Sequence, residues 1–199
     1  MTNSSGTTDT IIRAALHRRR LDHLKSQPNT LVIDELGLAH ARSRVDVAVI
    51  NGSIHGYEIK SAKDSLDRLC TQIDVYRAAL QKVTIVAASR HLRGVLAFVP
   101  NWCGIIEVEQ GPRAGLYLNS IRSARMNPDL NPVIMAHLLW RPEVQNLLIG
   151  VGFAPKELRR PRQQLYTMLA EVLTPREITA AIREFMTKRL AWRDHPIPA

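Results

Sequence analysis

The stretch RVDVAVI (residues 44–50), NGS (51–53) and IHGYEIKSA (54–62) decides the fold, because it reads as two adjoining strands around a short turn. Successive strand side chains point to opposite faces, so Glu58 and Lys60 share one face while Ile59 takes the other. Whether Asp46 joins them depends on register. A two-residue turn through Asn51 and Gly52 opposes Ile50 to Ser53 and Asp46 to Tyr57, leaving Asp46 on the wrong face. A three-residue loop with a bulge at Gly52 opposes Ile50 to Ile54 and Asp46 to Glu58, because a slip of one residue exchanges the faces. The second register is the one expected, since it brings two carboxylates and an ammonium together.

Working outward, Asp9 is placed to cap a helix over about 10–25, with Ile12, Ala15, Leu16 and Leu24 inward and Arg18 to Arg20 outward. A short β-branched run over 30–36 ends in Asp34 and Glu35, which completes a three-strand meander. A second helix is expected over 66–80, beginning at Asp64 or Ser65, with Leu66, Leu69, Cys70, Ile73 and Leu80 buried. The apolar run 83–88 reads as a central strand, 91–98 as a short helix, and 102–109 and 116–121 as strands around a turn at Gly111 and Pro112. Beyond Asn127, prolines divide helices expected over 133–140, 143–149, 163–173 and 176–189. Thr174, Pro175 and Glu177 form a capping-box start for the last. The expected fold class is α/β, a mixed sheet flanked by helices over 1–126 with a helical C-terminal subdomain over 127–199.

The chain has 199 residues and a formal net charge of +9, an excess that attracts polyanions, nucleic acid first among them. Cys70 and Cys103 form no CxxC pair, which disfavours structural zinc and a disulfide framework and suits a cytoplasmic protein. The opening ten residues lack the order of a signal peptide, and no apolar run approaches bilayer length, so no membrane is expected. Nucleotide-binding glycine loops, a G-x-S-x-G elbow and HExxH spacing are absent. His40, His55 and His91 are therefore read as surface or core residues, and Trp102 and Trp140 as core fillers.

Glu35, the run Arg44 to Val49, and Gly56 to Ser61 together resemble the PD-(D/E)xK nuclease superfamily, whose core runs helix, three strands, helix, strand. Within it, the phrases Glu58 to Ser61, Ser65 to Leu69 and Pro100 to Gly104 are closest to the bacterial sce-type family of nuclease-like proteins. Val45 stands where the nominal motif has proline. The resemblance implies a restriction-endonuclease-like core and a metal-dependent nuclease. Asp46, Glu58 and the Ile59 carbonyl would hold Mg²⁺, with Mn²⁺ as a substitute and Glu35 supplying a further carboxylate; Asp34 competes for that role. Lys60 would orient or deprotonate the attacking water, or stabilise charge on the phosphorane. Gln72 and Tyr76 match the Q-x-x-x-Y pattern of nucleases similar to the RecB and lambda exonuclease group, and with Arg68 they fall on one helical stripe.

Arg44, Ser61, Lys63 and Arg68 are the expected substrate-binding residues, and Lys156, Arg159, Arg160 and Arg162 form a second basic cluster. The expected partner is nucleic acid, DNA before RNA, with the helical subdomain open to substrate, a second protomer forming a homodimer, or a partner protein. Competing readings are a salt-bridge ladder of Asp46, Glu58 and Lys60 on a catalytically silent nucleic-acid-binding scaffold, and a helical DNA-binding regulator.

Overall fold

The computed structural model describes residues 7–40, 42–111 and 115–193. Six strands form one sheet in chain order: β1 (Leu31–Leu38), β2 (Ser43–Ile50), β3 (Ile54–Lys60), β4 (Lys82–Ala88), β5 (Gly104–Gln110) and β6 (Leu116–Arg122). The first three make an antiparallel meander, β4 and β5 run parallel to β3, and β6 returns antiparallel. The chain is thus α/β. Its element order is helix, meander, helix, then a strand parallel to β3.

Ile50 pairs with Ile54 across the three-residue connection, the register expected from the sequence. The device differs from the expected one. Among the described glycines only Gly152 has a positive φ, so there is no left-handed bulge at Gly52. Instead the Asn51 side chain accepts the Ser53 amide at 3.3 Å, an Asx-type closure.

Both faces of the sheet are covered. On one face, α1 (Asp9–Leu16) runs through a π-helical turn (His17–Leu21) into α2 (Asp22–Lys25), burying Ile12, Ala15, Leu16 and Leu21 against Val47, Val49, Ile59, Val86 and Ile106. The π turn has a sequence reason: four residues beyond Leu16 stands Arg20, and the extra residue of the wider turn brings Leu21 inward in its place. Arg20 then donates to the Leu118 carbonyl of edge strand β6 at 2.7 Å. Thr8 is the N-cap residue, so Asp9 lies inside the first turn and pairs with Arg13 instead of capping.

The other face carries α3 (Leu69–Ala79), α4 (Leu92–Phe98), α5 (Pro132–Ala136), α6 (Arg141–Gly150), α7 (Arg162–Val172) and α8 (Pro175–Arg193). Leu69, Ile73, Tyr76 and Ala79 face inward from α3, whereas Cys70, expected in that stripe, is exposed because it lies at its edge, about 100° around the helix from Leu69. Residues of α5 to α8, among them Met135, Leu148, Leu165, Leu169 and Ile182, belong to the same apolar cluster as Val45, Ala48, Ile50 and Ile85 of the sheet. The expected boundary at residue 126 falls in the connection between β6 and α5. Buried Gln81 ties the segments together: its Oε1 accepts from Ile54 N at 2.8 Å and from the Thr179 hydroxyl of α8 at 2.9 Å. The Thr174 and Glu177 capping box forms as read. Trp102 is buried, but Trp140 is exposed beneath the Arg189 guanidinium, 4.1 Å from the ring centroid, so it is not a core filler. Pro112 of the expected turn lies outside the described residues. No helix among the described residues is long and apolar enough to cross a membrane.

Gly56 lets β3 approach the core, since a Cβ there would sit 2.6 Å from Leu80 Cδ1 and 3.0 Å from Val45 Cγ2, both fully buried. Gly56→Ala is expected to lower unfolding free energy by about 1–3 kcal/mol, the usual range for overpacking. Urea denaturation with an unchanged midpoint would show that the contact yields freely.

Candidate active site

Strands β2 and β3 pair as far as Val47 and Tyr57, and beyond that point the ladder is completed by a side chain. Asp46 Oδ2 accepts the Ile59 amide at 2.6 Å, where a strand carbonyl would otherwise stand. The strand alternation also breaks here. Val45 packs with Ala48 and Ile50 on the α3 face, while Val47 and Val49 pack on the α1 face, so two residues flanking Asp46 point opposite ways. The same inversion occurs opposite it in β1, where Ile33 and Leu36 share a face and Glu35 between them has a φ of 58°. This paired distortion turns Glu35 and Asp46 toward a cleft of about 510 Å³.

Glu58, Ile59, Lys60, Arg44, Arg68 and Gln72 line the same cleft. Glu58 and Lys60 are only 2% and 8% exposed, so their charges must be satisfied by protein groups. Lys60 Nζ donates to Glu58 Oε1 at 2.7 Å and to Gln72 Oε1 at 2.9 Å, and Gln72 Nε2 donates to Glu58 Oε1 at 2.7 Å. The Tyr76 hydroxyl lies 2.5 Å from Glu58 Oε2, to which it donates, and 3.0 Å from the Arg44 carbonyl. Burial, reinforced by the Glu58 charge, holds the Tyr76 phenol protonated well above its ordinary range. Tyr76 is thus a buried support for Glu58 and does not line the cleft.

Glu35, and not Asp34, is the residue turned into the cleft; Asp34 pairs with His17 at 2.7 Å. Glu35 Oε1 lies 2.5 Å from Arg13 Nη2, and Oε2 lies 2.6 Å from Arg44 Nε. Two of the expected substrate contacts do not reach the cleft. Ser61 is buried, giving its amide to Asp64 and its carbonyl to His91, and Lys63 is exposed beside it. Sequence reasoning missed Asp9, Arg13, Arg42 and Asp64. The Asp9–Arg13 spacing of four is visible in the sequence, but nothing there joins it to Asp46, 33 residues on.

The donor set suits a hard divalent ion. Asp46 and Glu58 face the cleft together with Asp9, Glu35 and Asp64, and no sulfur or imidazole is among its lining residues. Among the described residues no group of three or more His, Cys, Asp or Glu is arranged to hold a metal, so water and substrate oxygens would have to complete the shell. Asp46 shows the corresponding charge deficit. Burial, and next the Glu58 charge, push its carboxyl up to about 7, against the opposing pull of the Ile59 amide and Arg13.

Comparison with known proteins places the chain. The family description of bacteriophage P4 protein cII matches residues 7–195. The chain belongs to the bacteriophage P4 protein cII family. Protein cII of Enterobacteria phage P4 is 30% identical over 166 residues, covering 82% of this chain and 60% of the phage protein. This cII-family chain therefore spans about three-fifths of that relative's length. A solved protein of unknown function from Silicibacter pomeroyi aligns with a TM-score of 0.43 and 14% identity over 94% of each chain.

The raised Asp46 carboxyl has a signed consequence for this cII-family protein. Because its folded value of about 7 exceeds the unfolded value of 3.8, the folded state holds the extra proton between them, and stability falls as pH rises through that window. In chelator at pH 8, Asp46→Asn, which keeps an acceptor for the Ile59 amide, is expected to be more stable than wild type by on the order of 2 kcal/mol, with the difference vanishing near pH 4. Denaturation curves at the two pH values measure it. Equal stability at pH 8 contradicts it.

Proposed function

We propose that this protein is a divalent-metal-dependent nuclease with a restriction-endonuclease-like core of the PD-(D/E)xK type, acting on phosphodiester bonds, with DNA as the expected substrate. The observation that carries the reading is the convergence of Asp46, Glu58, Lys60 and Gln72 in one cleft. The order of helix, meander, helix and parallel strand supports it. So does the +9 charge. Family membership carries no chemistry of its own, and the assignment rests on the cleft.

Asp46, Glu58 and the Ile59 carbonyl would hold Mg²⁺, or Mn²⁺ in its place. Bound there, the ion would acidify a water and neutralise charge gathering on the phosphoryl oxygens. Lys60 uses two of its three donors on Glu58 and Gln72, leaving one for the attacking water or a phosphoryl oxygen. Gln72 keeps Lys60 and Glu58 in fixed relation, and Tyr76 anchors the far oxygen of Glu58. Arg42, Arg44 and Arg68 line the cleft and would take the phosphates of the strand. A reducing compartment such as the cytoplasm suits the two free cysteines.

Incubation of linear, circular, single-stranded and branched DNA with Mg²⁺ should yield cleavage that chelator abolishes. Asp46→Asn and Lys60→Ala should each lower the rate by at least about a hundredfold, as expected when a preorganised charge is removed. If wild type and Asp46→Asn bind DNA equally and neither cuts it, a silent binding scaffold is the correct reading.

A further inference from the structure

We infer that the surface where the β1–β2 turn meets α7, carrying His40, Arg42 and Arg162, is a second contact for the phosphate backbone of a nucleic acid, leading the strand out of the cleft toward Arg159 and Arg160. The inference rests on the nucleic-acid reading above and deepens it. Three segments distant in sequence converge here. His40 belongs to the turn between β1 and β2, His137 follows α5, and Tyr166 lies one turn into α7. The two imidazole rings stack with centroids 4.1 Å apart and planes inclined by 21°, and His137 packs against the Tyr166 ring at 4.7 Å.

Positive charge surrounds this stack. The Arg162 guanidinium lies 5.4 Å from the Tyr166 ring centroid, and its Nε donates to the Tyr166 hydroxyl at 2.9 Å. That hydroxyl donates in turn to the Leu139 carbonyl at 2.7 Å, so Arg162 is held by a buried support while it stays exposed. Arg42 lines the cleft, and its charge, like that of Arg162, bears on both His40 and His137. Neither arginine forms an ion pair among the described residues. Two guanidinium groups are thus gathered about two imidazoles with no carboxylate to balance them, an arrangement that an anion would relieve.

A phosphodiester backbone suits the place better than a lone anion, because further cations follow on either side. Arg44 and Arg68 line the cleft beside Arg42, and exposed Arg159 and Arg160 lead directly into Arg162. His40 gives the contact a signature. Burial, and next the charges of Arg162 and Arg42, hold its imidazole below the ordinary range. The groups facing it are Arg42 from its own turn, His137 beyond α5, and Arg162 and Tyr166 from α7. A phosphate beside the arginines would offset their charge and raise that value, so binding takes up a proton and affinity rises as pH falls.

Fluorescence anisotropy with labelled duplex DNA in chelator tests this without relying on turnover. Arg162→Gln should weaken binding by about three- to tenfold and flatten the slope of log affinity against log salt by about 0.9. Arg77→Gln, which removes the same charge from an exposed position of α3 outside the cleft, should change affinity by less than about twofold. Between pH 8 and pH 6 the affinity of wild type should rise at least about threefold more than that of His40→Asn, an exchange suited to the left-handed φ of 59° at this position. The Asp46 carboxyl titrates in both proteins and cancels from that comparison. His40 and Arg162 are exposed, so both variants should fold, which circular dichroism checks. A loss in Arg162→Gln no greater than that in Arg77→Gln, or an equal pH response in His40→Asn, would overturn the inference and leave the cleft reading intact. No DNA binding by wild type would remove the nucleic-acid reading itself, and the inference with it.

Discussion

The hydrogen bond from the Ile59 amide to Asp46 Oδ2 holds the cleft open at the point where β2 and β3 part. Had β2 continued in regular pairing, its backbone would have satisfied that amide and the Asp46 side chain would have stood perpendicular to the sheet. Using a carboxylate instead leaves Asp46 close to the sheet plane, with one oxygen toward α1 and the other toward β3. Everything proposed for the site depends on that orientation. The inverted alternation in both strands, with Glu35 in a left-handed conformation, is the backbone distortion that permits it.

The second constraint is electrostatic. Glu58 and Lys60 are nearly inaccessible, and burying such a pair costs several kcal/mol per ion before their attraction returns anything. Apolar residues of similar volume would often be as stable or more so. The pair is nonetheless held by Gln72 and Tyr76 in a connected network in which Glu58 has a donor on each oxygen. That outlay makes little sense as stabilisation. It makes sense where a carboxylate and an ammonium must be kept at fixed separation facing a solvent-accessible cleft.

Much of this was legible in the sequence, for local reasons. Strand periodicity placed Glu58 and Lys60 on one face, the apolar run over 83–88 marked the central strand, and the spacing of Gln72 and Tyr76 put both on one helical stripe, which the fold turns toward Glu58. The register was also legible, although it is reached through an Asx closure at Asn51 instead of a glycine bulge. What escaped depends on distant partners. Arg13 belongs to the site only because α1 packs across β2, a fact no local pattern states. Cys70 looked buried because apolar spacing over one turn does not specify which edge of the stripe meets the core. Ser61, expected at substrate, lies under its own loop, where Asp64 and His91 take its backbone groups.

The two faces of the sheet contribute opposite halves of the cleft. From one side α1 delivers a guanidinium to Asp46 and Glu35, and from the other α3 delivers an amide and a phenol to Glu58. The two carboxylates are nonetheless joined through the strands, since Asp46 accepts the amide of Ile59, the residue next to Glu58, and the Tyr76 hydroxyl that holds Glu58 lies 3.0 Å from the Arg44 carbonyl of β2. Burial, and next the Glu58 charge, raise the Asp46 carboxyl. The helices α5 to α8 share their core with the α3 face, which fixes the exposed basic residues Lys156, Arg159, Arg160 and Arg162 relative to the sheet.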